Sequence, residues 1–333
     1  MIIILENDAN EKDINNIKEF LEKRDLKLKL INDNAYLIIG ETFKLDEQSV
    51  KNLNKVINVT RITPSFKLAS RMYHKENTII KCNDIEFGGK EQIVIAGPCS
   101  VESQEQIDEI ASIVKDSGAK VLRGGAFKPR TSPYYFQGLK EEGLKYLHNA
   151  GKKYGLSVVS EITSEKYLDL FKEYVDIIQV GARNMQNFEL LKALGKVNKP
   201  ILLKRNPGCS IEEWLLSAEY ILSSGNPNVI LCERGVKGFD KVTRYSLDFG
   251  EIAALKTLTH LPVIVDPSHA SGDYHYVPNL VLASIASGVD GVMIEVHNHP
   301  EKAMSDGMQT LNASKLKDLI TKGKEISKII GRL

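Results

Sequence analysis

The chain has 333 residues, 42% hydrophobic and 26% charged, with a formal net charge of +1. That is ordinary for a globular protein with a substantial core, large enough for one large domain or a large plus a small one. The balanced charge leaves no global electrostatic case for nucleic acid or membrane partners, so anion affinity must come from local clusters.

Residues 1 to about 63 read as a small unit. Ile2 to Leu5 is a strand, and Ile14, Ile17 and Leu21 share one helical face with Phe20 beside them. Leu26 to Leu30 alternates apolar with Lys, as a half-buried strand should, and Asn32 to Asn34 turns it back into a strand at Tyr36–Ile39. Leu45, Val50 and Leu53 mark a short helix, and Val56 to Ile62 is a last strand. The order β-α-β-β-α-β is a ferredoxin-like pattern without a catalytic constellation. Thr63-Pro64 opens a linker over 64–77, and a small hairpin is expected between Thr78 and Lys90.

From about residue 92 short apolar runs alternate with amphipathic stretches. The predicted strands are Ile93–Ala96, Lys120–Arg123, Ser157–Glu161, Ile177–Val180, Ile201–Lys204, Val229–Cys232, Val263–Asp266 and Gly291–Val296. Helical patterns include Ile107–Val114, Leu139–Lys153, Ile211–Leu222, Phe249–Leu258, Val277–Ala286 and a final one at about 314–330. Eight strand-then-helix units over 78–333 predict an α/β fold, a (β/α)8 TIM barrel. The alternative, an open doubly wound sheet, lacks its Gly-x-Gly-x-x-Gly turn.

Active sites of such barrels sit where the strands end. Here the strand ends carry Cys99, Arg123, Glu161, Gly181-Ala182-Arg183, Lys204, Arg234, His269 and Glu295, whereas the strand starts are bland. The stretch Leu122-Arg-Gly-Gly-Ala-Phe-Lys-Pro-Arg-Thr-Ser132 adds Lys128, Arg130 and Thr131 on a loop stiffened by proline. Arg123, Lys128, Arg130, Arg183, Lys204 and Arg234 aim six cations at one mouth. Two phosphorylated substrates, one also a carboxylate, total roughly −5, and six cations suit that load. For each cation taken singly, a surface ion pair is the competing reading.

Cys99, His269, Glu295 and Asp306 offer thiolate, imidazole and carboxylates, a donor set for a divalent transition metal such as Mn, Fe, Zn or Co. Taken singly, Cys99 reads as a small buried hydrophobe, His269 as a general base and Asp306 as a turn cap. Cys82, Cys209 and Cys232 read as structural, and Trp214 as core. The cysteines are few and widely spread without Cys-x-x-Cys, which argues against a disulfide framework. No signal peptide or run of about 18 apolar residues is present, so a cytoplasmic location is expected.

Seven segments together closely resemble the 3-deoxy-D-arabino-heptulosonate-7-phosphate (DAHP) synthase family. They are Ala96-Gly-Pro-Cys-Ser-Val-Glu102, the 122–132 loop, Gly181-Ala-Arg-Asn-Met-Gln186, Leu203-Lys-Arg205, Glu233-Arg-Gly235, Asp266-Pro-Ser-His269, and Ile294-Glu-Val-His297 with Ser305-Asp-Gly307. The N-terminal unit is similar to the ferredoxin-like regulatory extension of the short microbial type. The resemblance implies condensation of phosphoenolpyruvate with erythrose 4-phosphate, the first step of the shikimate pathway. It places Arg123, Lys128, Gly181, Ala182, Arg183, Lys204 and Arg234 on phosphoenolpyruvate, and Arg130 and Thr131 on the aldose phosphate. It also places Cys99, His269, Glu295 and Asp306 on the metal, with Lys128, Glu161 and His269 as catalytic residues. A tyrosine or phenylalanine effector and a homotetramer follow from it too. The competing readings are a 3-deoxy-octulosonate-8-phosphate synthase, disfavoured by Lys-Pro-Arg-Thr at 128–131, a Schiff-base aldolase using Lys204, and a non-catalytic amino-acid sensor.

Overall fold

A computed structural model describes residues 1–61 and 65–332. Ile62, expected to end a strand, and Thr63-Pro64, expected to open the linker, lie outside the described residues. The chain divides into two compact units, Met1–Glu76 and Asn77–Leu333.

In the first unit, β1 (Ile2–Leu5), α1 (Glu11–Glu22), β2 (Lys27–Asn32), β3 (Ala35–Ile39), α2 (Glu47–Lys51) and β4 (Val56–Thr60) follow in order. The sheet order β2-β3-β1-β4, with every neighbour antiparallel, is the ferredoxin-like arrangement. Asn10 starts α1 with a reciprocal capping box to Asp13, and Ile17 and Leu21 turn inward from it onto Ile3, Leu5 and Ile38. The strict alternation read into Leu26–Leu30 does not persist. The register with β3 shifts between Leu30 and Asn32, leaving Leu30 55% exposed and Ile31 half-buried. An edge strand tolerates such a bulge because only one side of it is paired.

The second unit opens with the hairpin β5 (Ile80–Cys82) and β6 (Ile85–Phe87). The strands β7 (Ile93–Gly97), β8 (Val121–Arg123), β9 (Ser157–Ile162), β10 (Ile177–Val180), β11 (Ile201–Lys204), β12 (Val229–Glu233), β13 (Val263–Val265) and β14 (Gly291–His297) pair in parallel, each with the next. β14 also pairs with β7 in parallel, from Gly291↔Ile93 to Glu295↔Gly97, which closes the barrel. A two-residue strand, β15 (Leu311–Asn312), extends β14.

Between the strands run α3 (Gln104–Asp116), α4 (Glu141–Tyr154), α5 (Leu168–Tyr174), α6 (Phe188–Leu194), α7 (Ile211–Ser223), α8 (Phe249–Leu258), α9 (Pro267–Ser271), α10 (Val277–Ala286) and, after β15, α11 (Leu316–Ile329). The helices α5, α6 and α9 were absent from the periodicity reading because five to seven residues are too few to display a 3.6-residue repeat. Trp214 is core as expected. It is fully buried on α7, and its indole N–H donates to Leu203 O at 3.2 Å.

The hairpin decides which end of the barrel is usable. Ile80, Ile85 and Phe87 are fully buried among Ile93, Val121, Ile177 and Ile264, side chains from the strands' early positions. An apolar plug therefore fills the N-terminal mouth, and polar side chains gather at the C-terminal one. No helix among the described residues is long and apolar enough to cross a membrane.

Candidate active site at the strand C-termini

The site begins where β7 meets β8. A Cβ on Gly97 would stand 2.1 Å from Arg123 O, so only glycine lets these two strand ends approach so closely. Pro98 and Cys99 follow directly, which aims the Cys99 thiol into the mouth. Its Sγ donates to Asp306 Oδ2 at 3.1 Å, while Lys128 Nζ donates to Cys99 Sγ and Cys99 O, both at 3.0 Å.

Glu295, fully buried on β14, has both oxygens held. Arg123 Nη1 lies 2.8 Å from Oε1, and Gln309 Nε2 donates to Oε2 at 2.6 Å. The ligand atoms of Cys99, Glu295 and Asp306 all lie within 4.8 Å of one another. His269 stands beside this triad, with Nε2 3.3 Å from Glu295 Oε1. It rides on α9, whose cap is Asp266: the Asp266 side chain accepts from His269 N–H at 3.1 Å, with proline at the first helical position. Asp266 Oδ2 also lies 2.7 Å from His269 Nδ1, off the line of a well-formed hydrogen bond, and pairs with Lys204 Nζ. One buried carboxylate thus faces both the His269 imidazole and the Lys204 ammonium.

The charges follow from these contacts. Burial pushes the Cys99 thiol up to about 12, so it is a neutral donor to Asp306, and a metal must displace its proton to bind. Burial also works against the charge on Asp266, but His269 and Lys204 outweigh it and hold the carboxyl well below its usual range. The same opposition lowers Glu295, where His269 and Arg123 prevail over burial, and Asp306, where the Cys99 hydrogen bond and His269 do. Burial lowers His269, which favours the neutral imidazole a metal requires.

The remaining predicted residues fall into an enclosed group and an outer one. Lys204 and Arg234 are nearly buried, at 4% and 8% exposure, and the Arg234 guanidinium lies 4.4 Å from the centroid of the Tyr245 ring. Gly181 is buried at the end of β10, where a Cβ would meet Glu161 Oε1 at 2.0 Å. Glu161 Oε2 accepts from Gln179 Nε2 at 2.9 Å. Ala182 and Arg130 are half-buried, and Arg130 Nε donates to Phe136 O at 3.3 Å. Thr131 and Arg183 are exposed, so the enclosed cluster does not include them.

Sequence reasoning assigned no role to Asp266, Gln309, Gln179 or Glu233. Glu233 accepts the N–H groups of Arg234 and Gly235 and pairs with buried Arg205, which fixes the turn that presents Arg234. The Asp-Pro pair three residues before His269 is a readable cap signal. Gln179 acts through its register partner Glu161 on the adjacent strand and Gln309 through Glu295 fourteen residues earlier, pairings that leave no local signal.

A closed parallel barrel whose strand C-termini gather buried cations and a Cys/Glu/Asp cluster with metal-donor atoms defines a class: (β/α)8 barrels with a polar site at the C-terminal mouth. Residues 71–332 match the DAHP synthetase I family, and residues 1–64 match the DAHP synthase ferredoxin-like domain. The chain belongs to the DAHP synthetase I family. It is 45% identical to a phospho-2-dehydro-3-deoxyheptonate aldolase of Thermotoga maritima, over 99% of both chains. A crystal structure of that Thermotoga enzyme superposes with a TM-score of 0.80, covering 99% of this chain and 98% of the other. A truncated form of the Thermotoga synthase gives 0.75 at 47% identity, covering 80% of this chain and 98% of that one. A 2-dehydro-3-deoxyphosphooctonate aldolase of Desulfatibacillum aliphaticivorans is more distant, 32% identical over 73% of this chain and 95% of its own length.

Proposed function

We infer that this chain condenses phosphoenolpyruvate with erythrose 4-phosphate, giving DAHP and inorganic phosphate. Family membership over the whole chain carries the reaction, and the buried cation cluster around Glu295 and Asp266 carries its placement. Cys99, His269, Glu295 and Asp306 would hold a divalent metal, for which a thiolate, an imidazole and two carboxylates are suitable donors. When bound, that ion supplies Lewis-acid polarisation of an oxygen. Mn, Fe, Zn and Co all suit the donor set.

Arg123, Lys204 and Arg234 bind phosphoenolpyruvate from within the mouth, and Gly181, Ala182 and Arg183 close over its phosphate from the end of β10. Arg130 and Thr131 take the aldose phosphate. The enol carbon of phosphoenolpyruvate attacks the aldehyde carbon, cationic character develops at C2, water adds there, and phosphate leaves the hemiketal. Glu161 places negative charge near the reacting carbons. An ammonium has three N–H groups; Cys99 engages Lys128 at its O and Sγ, leaving one to protonate the new alkoxide. The pKa of Lys128 is raised, which keeps it cationic: burial opposes the charge, and the hydrogen bond to Cys99 and the Glu295 carboxylate outweigh it.

We assign residues 1–63 to a regulatory domain, 64–77 to a linker and 78–333 to the catalytic barrel. Among its described residues the ferredoxin-like unit carries no catalytic cluster, and we assign it an aromatic amino acid effector, tyrosine or phenylalanine, on a homotetramer. The test is phosphate release from phosphoenolpyruvate with erythrose 4-phosphate or arabinose 5-phosphate, before and after chelation. Turnover with the four-carbon aldose that chelation abolishes is the expected result. Preference for arabinose 5-phosphate overturns the substrate assignment, and turnover surviving chelation overturns the metal.

A further inference from the structure

Asp306 and Cys99 come from opposite ends of the barrel sequence, yet their side chains must meet at one ion. No regular element fixes Asp306. It follows β14 through the short turn Pro300–Lys302 and caps the next, Gly307–Gln309, and its own φ of 50° and ψ of 36° are left-handed. For a residue other than glycine that conformation costs about 1 kcal/mol or more, so surrounding contacts must hold it.

Those contacts converge on Glu102. Its Oε1 accepts Met304 N–H at 2.8 Å and the Ser100 hydroxyl at 3.3 Å. Its Oε2 lies 3.5 Å from His297 Nε2. His299 N–H donates to His297 Nδ1 at 2.9 Å, and Gln106 Nε2 lies 3.2 Å from His297 Nε2. Ser100 and Ser305 hydroxyls share a further bond at 2.6 Å. Gln106 locks the other side, accepting Glu102 N–H at 3.2 Å and donating to Ser100 O at 3.1 Å. Two of these bonds, Met304 N–H to Glu102 and Ser100 to Ser305, join the residues just after Cys99 to the residues just before Asp306, and the others brace Glu102 and Ser100 from their own loop and from β14.

We propose that Glu102 is a positioning residue that clamps the Asp306 loop to the Cys99 loop and thereby sets the spacing of the metal ligands. It rests on the metal reading above. Glu102 acts on the ion through Met304, Ser305 and Ser100. Partners that orient metal ligands typically carry about 10- to 100-fold in metal affinity.

The experiment titrates Mn2+ alone into metal-stripped wild type, Glu102→Ala, Glu102→Gln and Ser305→Ala, following heat of binding. KM for phosphoenolpyruvate is measured at saturating Mn2+. Glu102→Ala is expected to weaken Mn2+ binding at least about 10-fold with KM unchanged. Glu102→Gln retains most of the affinity, because its amide oxygen still accepts Met304 N–H. Ser305→Ala weakens binding by a smaller factor. Wild-type affinity in Glu102→Ala overturns the proposal, as does an equal loss in Glu102→Gln, which would trace the effect to charge. If Glu102→Ala does not fold, wild-type affinity in Ser305→Ala overturns it instead. If wild type itself binds no Mn2+, the metal reading falls first and the clamp with it.

Discussion

Replacing Gly181 with alanine tests whether Glu161 must stay where it is. The backbone there, at φ −68° and ψ 156°, accepts alanine without strain, so the methyl group is the only perturbation. That methyl would lie 2.0 Å from Glu161 Oε1, 2.4 Å from Cδ and 2.8 Å from Oε2. A carbon–oxygen contact needs about 3.3 Å, so the carboxylate must retreat by more than about 1 Å. The retreat strains the 2.9 Å bond from Gln179. Overpacking of this kind costs about 1–3 kcal/mol of stability, and a 1 Å displacement in an active site costs about 100-fold in rate. Gly181→Ala should therefore fold, bind Mn2+ normally and release phosphate about 100-fold more slowly at saturating substrates. Glu161→Gln should give a comparable loss, and the double variant no more than the larger single one, since both act through one carboxylate. Wild-type kcat in folded Gly181→Ala, or additive losses in the double variant, would refute the role of Glu161.

Lys128→Met should retain Mn2+ binding and lose turnover by about 100-fold or more, the usual loss on removing a positioned proton donor; turnover close to wild type would remove Lys128 from proton transfer. Asp266→Asn leaves buried Lys204 unpaired and His269 unoriented, and should cost about 3 kcal/mol in urea unfolding of the barrel. Because Asp266 is held well below the usual carboxylate range, its contribution is complete above about pH 4 and is lost as the pH falls further. Wild type should thus lose stability on acidification more steeply than Asp266→Asn, and parallel profiles would contradict that. Deleting residues 1–63 should leave condensation intact and abolish inhibition by tyrosine or phenylalanine; unchanged inhibition would place the effector elsewhere.

The barrel was readable in the sequence because its strands are buried on both faces and form continuous apolar runs such as Ile201–Lys204 and Val229–Glu233. The cationic character of the mouth was readable because Arg123 and Lys204 end such runs and Arg234 directly follows one. Leu30 shows the limit of local pattern: its alternation was genuine, but pairing with β3 decided which residue faced inward. The donors Cys99 and Asp306 were nameable singly, while their approach to 3.1 Å depends on loops from β7 and β14, which barrel closure makes neighbours.

The sequence alone therefore determined the chemistry on offer at each strand end, since residue type and apolar period are local properties. Only the tertiary structure decided which groups share a charge. Asp266 spans Lys204 and His269, Glu295 is held between Arg123 and Gln309, and Glu102 ties two distant loops together. Those pairings depend on strand register and on burial, which strengthens each contact by removing water, and neither is written in any single stretch of the chain.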